Sequence, residues 1–541
     1  VVSDENGNIA SISRKDIIRA YFKYLIHTAE QQHKCKYKNI HITSPIKQKR
    51  QFLEMYKEVL NDYNVEINNA LDEGIAVLYN SISNQIEKNN FRYEEEYKAL
   101  IIDCGGGTTD LTNCSYYIKQ DPITYELNIT TTYANGETNY GGNNITYRIF
   151  QYLKIVFSKY YRKEDIIRID EIFDSEISNI YRYIDTYGHK TLYEPLEKLY
   201  KESEAIIPTR FNDYINNSTN EYMKVRSNFY FLWNLAEKIK IDFYKGVSVR
   251  QTDFHIKGIK SNEKDSKIIP EESWRINVYD QKNILKLNTE IPQIIITKEE
   301  INTLIKGDIY YVIKKFIEPI YLDGQLDDIN FIKLTGQTCK IDIFRDALKE
   351  FIPGRIIQSA KKEKNVQDFK LICLEGAIKY QNAKRIGLIS PTIINKAPVI
   401  PYKLIALNHM GKEITMISNL EKINRSYGFV SRNINTEDVE LTLLDGDNNI
   451  LHKYYLYTNI KRFKKTTYTE IKEHYGDKIL QDDVDSIKDG EIKIFTFAFE
   501  DKWGFYVLPL ARKEGVLLMG ERKYFPFENE EWEINFFDGR K

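Results

Sequence analysis

Eight consecutive residues, Asp103-Cys104-Gly105-Gly106-Gly107-Thr108-Thr109-Asp110, hold the most specific chemistry in this 541-residue chain. Glycine lacks the Cβ that keeps a backbone away from a phosphate. Successive N–H groups in such a loop form a concave nest for an anion. Thr108 adds a hydroxyl that can donate to a terminal phosphate oxygen. Asp103 and Asp110 repel phosphate unless a cation stands between them, so the two carboxylates imply Mg2+, held through water. One of them could also orient an attacking water, because phosphoryl transfer asks mainly for positioning and charge neutralisation. No Lys-Ser/Thr pair follows the glycines, which excludes a Walker P-loop, and their consecutive spacing excludes a dinucleotide fingerprint. A plain glycine turn is the structural alternative.

The elements around the loop read as α/β. Residues 12–35 have apolar positions at helical spacing, residues 39–43 read as a strand ending at Ser44-Pro45, and residues 48–60 read as a second helix. Residues 71–79 are small and apolar, which suits a helix packed closely on a sheet. Residues 99–102 form a buried strand running straight into the glycine loop. Residues 147–245 have a helical, Tyr-rich pattern, and residues 250–296 read as short strands. Thr297 with Glu300 is a capping box opening a helix. Residues 331–334 read as a strand and a helix starts near Asp342. Pro391, Pro398 and Pro401 mark a linker. Beyond it, Val439, Leu441 and Leu443, and then Phe495, Phe497 and Phe499, alternate with period two, as antiparallel strands do. Asp445 and Asp447 lie in a hairpin turn without the terminal Glu of a calcium loop. Core packing is the expected role of Phe495, Trp503, Phe505, Phe525 and Phe527.

A formal net charge of -1 argues against a dedicated nucleic-acid or membrane-surface binder. Five cysteines without a CxxC pair argue against zinc and disulfides, so a reducing, cytoplasmic setting is expected. No apolar run reaches the roughly 20 residues of a membrane helix.

The glycine loop resembles the second phosphate motif of the actin, hexokinase and heat-shock ATPase superfamily. Other stretches fall in the order found in the DnaK-type heat-shock chaperones. Ile42-Thr43-Ser44-Pro45 resembles that family's strand and turn before a helix, and the stretch LDEGIAVLY, residues 71–79, resembles its connecting helix. Thr138-Asn139-Tyr140-Gly141-Gly142-Asn143-Asn144 resembles its "LGGEDFD" turn. Ala236-Glu237-Lys238-Ile239-Lys240 resembles the helix whose Glu and Lys hold ribose and adenine. Leu334-Thr335-Gly336-Gln337-Thr338-Cys339-Lys340-Ile341 resembles the adenosine motif, and Leu374-Glu375-Gly376-Ala377 the closing helix.

The resemblance implies actin-like ATPase lobes over residues 1–385, with an outer subdomain and helical insertion at 147–300. A linker at 386–400 and a β-rich C-terminal domain at 401–541 would follow. It implies ATP and Mg2+ as ligands, with Mg2+ near Asp103 and Asp110. Glu73, Asp103, Thr108 and Asp110 would be catalytic. Gly105, Gly106, Gly107, Thr108, Gly141, Gly142, Glu237, Lys240, Gly336, Gln337 and Lys340 would bind nucleotide. A protein or peptide client would be the partner. Several positions depart from the pattern. Gly74 replaces the Pro after the catalytic Glu, Asn143 and Asn144 replace an acidic pair, and Thr335 replaces a glycine. Cys339 stands where the family stacks an Arg on adenine, with Lys340 one place further on. The first phosphate motif and catalytic Lys have no counterpart ahead of residue 40, so the chain is expected to be a piece of a longer protein. A nucleotide-sensing scaffold without efficient hydrolysis and an actin-like filament subunit are the alternatives.

Overall fold

The computed structural model describes residues 2–3, 9–44, 49–66, 70–92, 94–137, 140–173, 177, 179–244, 251–253, 266–268, 274–292, 294–322, 324–358, 368–395, 399–419, 421–445, 448–499, 502–528 and 535–541. The fold is mixed α/β with a β-rich C-terminal region. The chain divides into two compact units. Unit 1 is Val1–Ile101, Asp110–Gly136 and Lys370–Trp532; unit 2 is Ile102–Thr109, Glu137–Phe369 and Glu533–Lys541.

After the short antiparallel pair Val2–Ser3 with Ile9–Ala10, unit 1 continues with helix α1 (Arg14–His33), strand β1 (Asn39–His41), helix α2 (Lys49–Val59) and strand β2 (Asn64–Glu66), with β1 and β2 parallel. Ser13 caps α1 by accepting the Asp16 amide. Helix α3 (Glu73–Glu87) follows, and its small residues do what their size suggests. A Cβ on Gly74 would stand 2.2 Å from Thr112 Oγ1, so α3 lies directly on strand β4 (Thr109–Gln120). Strand β3 (Tyr97–Cys104) precedes β4 and ends in unit 2; β5 (Tyr125–Glu137) follows it.

Unit 2 is mainly helical: α4 (Gly142–Arg162), α5 (Ile180–Tyr187), α6 (His189–Ser203), α7 (Thr219–Tyr244), α8 (Lys298–Leu322) and α9 (Asp342–Lys349). The capping box at α8 forms: Thr297 N–H donates to Glu300 Oε2 at 2.9 Å and Glu300 N–H to Thr297 Oγ1 at 3.2 Å. Strand β6 (Phe331–Thr335) pairs in parallel with β7 (Ile357–Gln358). Within the 250–296 stretch, Ile276–Tyr279 and Leu285–Asn288 form an antiparallel hairpin.

The chain then re-enters unit 1 with α10 (Asp368–Arg385). Gly376 lets α10 touch α3, since a Cβ there would stand 1.8 Å from the Ala76 carbonyl. Residues 386–400, expected as a linker, instead contain β8 (Ile389–Asn395), which pairs in parallel with β5 over seven residues. Pro391 is tolerated there because β8 is the edge strand of its sheet. Pro398 and residues 138–139 lie outside the described residues, as do Pro45, Gln48, Gly446, Asp447 and Asp501.

Beside the short antiparallel pair Val399–Ile400 with Glu421–Lys422, the described C-terminal strands form two sheets. One runs β10 (Glu413–Ile417), β9 (Lys403–Leu407), β12 (Asp438–Leu444), β13 (Ile450–Tyr457). The other contains β11 (Tyr427–Asn433), β14 (Glu491–Phe497), β15 (Gly504–Lys513) and β16 (Val516–Met519) in that order. Period two sends alternate residues to opposite faces. Leu404, Leu441 and Leu443 therefore meet Ile492, Ile494, Phe505 and Val507 in one core. Phe495, Phe497, Leu508 and Leu510 face a second core under Ile471, Ile479 and Val484. Trp503 and Phe527 are buried in the first core, with Phe525 packed against it. The Asp445 turn is closed by Asp445 Oδ1, which accepts the Asn449 amide at 2.8 Å.

Candidate functional site

Four segments of unit 2, far apart in the chain, meet at the glycine loop. The loop leaves β3 at Cys104, and the Gly105 amide donates to the Thr108 carbonyl at 2.9 Å. The first amides of a helix have no partner within it. Here the loop supplies two: Gly142 N–H donates to the Gly105 carbonyl at 3.0 Å and Asn143 N–H to the Gly106 carbonyl at 2.7 Å. Asn144 Oδ1 accepts the Gly141 amide at 2.9 Å. Thr109, buried, donates to the Tyr140 carbonyl at 3.0 Å. The start of α4 thus locks the shape of the loop.

Glycine at 141 is required by this approach, since a Cβ would stand 2.6 Å from the Gly107 carbonyl carbon. Gly336 is required twice over. Its φ is +82°, and a Cβ would lie 2.2 Å from the Cys104 carbonyl oxygen and 2.5 Å from Asp103 Oδ1. Above Gly106 and Gly107 there is open space, and both residues and Thr108 are exposed. The loop therefore has a fixed base and an accessible tip.

The Gly336 turn brings Thr338, whose hydroxyl donates to the Gly105 carbonyl at 2.7 Å. Gln337 and Lys340 flank it, both half-buried. Cys339 points away into the core, with its sulfur 3.9 Å from the Ile102 carbonyl, and burial pushes its thiol well above the ordinary value. From α7, Lys240 reaches Gly142. Its ammonium pairs with Glu237 Oε2 at 2.7 Å and donates to the Gly142 carbonyl at 3.0 Å and to Thr146 Oγ1 at 2.8 Å. Those three bonds use all three protons of the ammonium. Thr146 in turn lies 2.5 Å from the same Glu237 oxygen. Lysine, threonine and carboxylate form one polar cluster beside the loop.

Thr146 and Thr338 are the two residues of this cluster that the sequence reading did not select. Both match only in three dimensions: Thr146 is 94 residues from Lys240, and Thr338 is 233 from Gly105. Glu73 and Asp110 belong to unit 1. Glu73 is the first residue of α3, where burial and the neighbouring Asp72 push its carboxyl up. A raised carboxyl is a better proton acceptor near neutral pH. Among the described residues no group of three or more His, Cys, Asp or Glu is placed to hold a metal ion, and no helix is long and apolar enough to cross a membrane. No protein-family model and no curated protein matches this sequence.

Proposed function

We propose that the glycine loop binds ATP with Mg2+, in a protein of the DnaK type whose actin-like ATPase lobes couple nucleotide state to the holding of a protein segment. The observation that carries this reading is the convergence of residues 103–108, 141–146, 237–240 and 336–340, the stretches expected to surround one nucleotide. The residues fit the ligand. The open, Cβ-free tip at Gly106 and Gly107 suits a phosphate chain. Thr108 is exposed beside it as a donor. Lys240 holds the Glu237 carboxylate beside the loop, where that carboxylate would accept a ribose hydroxyl. Asp103, half-buried at the base of the loop, would hold Mg2+ through water, and the ion would neutralise phosphate charge.

Binding of a fluorescent ATP analogue with Mg2+ tests the site. Gly106→Val places a branched side chain in the open tip and is expected to weaken binding by at least about tenfold, a loss of roughly 1.4 kcal/mol. Lys464→Ala, on the exposed stretch of the C-terminal region, is expected to leave it unchanged. Equal binding by the two variants sinks the site. Single-turnover hydrolysis with magnesium then separates an ATPase from a nucleotide sensor.

A further inference from the structure

Residues 535–541 pack within unit 2 on the two helices that carry the polar cluster. Phe536 is buried, its ring 5.3 Å from Tyr147 of α4 and 5.5 Å from Trp233 of α7. Tyr147 directly follows Thr146 in the chain. Trp233 is four residues before Glu237, one helical turn away on the same face. The Thr146–Glu237 hydrogen bond joins the same two helices that Phe536 bridges, one residue along α4 from Tyr147 and one turn along α7 from Trp233. Phe537 adds a second ring on Trp233 at 4.9 Å, and the Lys541 ammonium lies 4.9 Å from the centre of the Phe536 ring. Aromatic pairs at these separations attract beyond simple area burial. The stretch is also fixed at its far end. The Gly539 carbonyl accepts the Asn212 amide at 2.9 Å, and Gly539 has φ +76° with Phe211 so close that a Cβ would be 2.4 Å from its ring.

We propose that residues 535–541 are a clamp, acting in cis, on the candidate nucleotide site, with Phe536 as its positioning residue. By joining α4 to α7 they hold Thr146 against the Glu237–Lys240 pair. Docking of the stretch and occupancy of the site then favour each other, a coupling that is reciprocal by linkage. The clamp on the helices stands on the packing alone; the coupling to ligand rests on the nucleotide reading.

The test compares the full chain with Phe536→Ala/Phe537→Ala and, separately, Gly539→Val, which displaces the stretch from its far end at Phe211 and leaves the Tyr147 and Trp233 side chains unaltered. Hydrogen exchange is followed without ligand, and binding is measured with the fluorescent ATP analogue and Mg2+. Both variants are expected to exchange about tenfold faster at residues 142–147 and 233–240, to leave the C-terminal sheets unchanged, and to bind the analogue about tenfold more weakly. A synthetic peptide of residues 535–541 added to the double variant should restore both readouts. Unchanged exchange at both helices overturns the clamp, as does a rise spread evenly over unit 2. Faster exchange with wild-type affinity overturns the coupling. Faster local exchange in a protein whose wild type binds no analogue supports the clamp and defeats the nucleotide reading instead.

Discussion

A side chain on Gly336 would meet two obstacles at once, a left-handed backbone and the Cys104 carbonyl oxygen 2.2 Å from its Cβ. The first costs about 1–2 kcal/mol and the overpacking roughly 1–3 kcal/mol more. Gly336→Ala is therefore expected to lower stability by about 2–5 kcal/mol. Gly106→Ala meets nothing within 4 Å and should stay within about 0.5 kcal/mol of wild type. Urea denaturation of the two variants checks the contrast; similar losses would mean that the Gly336 turn is not seated against the loop. The two glycines were equally visible in the sequence, as members of spaced motifs. Which is needed by the fold and which leaves room for a ligand was not, because the obstacle to Gly336 comes from a residue 232 positions earlier. The same distance hid Thr338, whose hydroxyl is useful only once the turn lies on Gly105.

Three helices of unit 2 are tied together by one buried carboxylate. Asp308 on α8 takes Arg148 of α4 at 2.8 Å and His189 of α6 at 2.6 Å, while Arg148 also reaches Glu197 of α6 at 2.9 Å. Burial alone would raise the Asp308 carboxyl; Arg148 and the His189 hydrogen bond outweigh it and hold the carboxyl well below the usual carboxylate range. A carboxyl lowered by folding stabilises the protein above its unfolded value of about 3.9, and that contribution drains away as pH falls further. Asp308→Asn leaves Arg148 buried against an uncharged partner and should cost about 3–5 kcal/mol at neutral pH. Urea melts from pH 3 to 7 should show the gap between wild type and variant widest above pH about 5 and narrowing as the pH drops. A gap that does not change with pH would contradict the charge argument. Elements of this kind were legible where their signals are local. Thr297 and Glu300 are three residues apart, and the cap forms as read. Arg148 and Asp308 are 160 residues apart, and no periodicity links them.

At the scale of the whole molecule, the chain passes between the two units five times, after Ile101, Thr109, Gly136, Phe369 and Trp532. Proline spacing and the change in strand pattern suggested a boundary near residue 390. The polypeptide instead lays β8 beside β5 there, a pairing between segments about 264 residues apart that composition does not encode. This interleaving has a testable consequence for the candidate site. Residues 137–369 contain every helix from α4 to α9, yet the Gly142 and Asn143 amides find their partners on Gly105 and Gly106. Cut out as one piece, 137–369 has two helix-start amides without those acceptors, and Thr338 and Gly336 face no loop. An unsatisfied buried group costs about 1–3 kcal/mol. The isolated piece is therefore expected to retain much of its helical circular dichroism but to show fast hydrogen exchange at residues 141–146 and no binding of the ATP analogue. Adding a peptide of residues 97–112 in trans should slow that exchange, because it returns the carbonyls that the start of α4 requires. Equal protection of residues 141–146 in the isolated piece and the full chain would show that α4 starts without the glycine loop, and the loop would then have no fixed base on which to hold a phosphate.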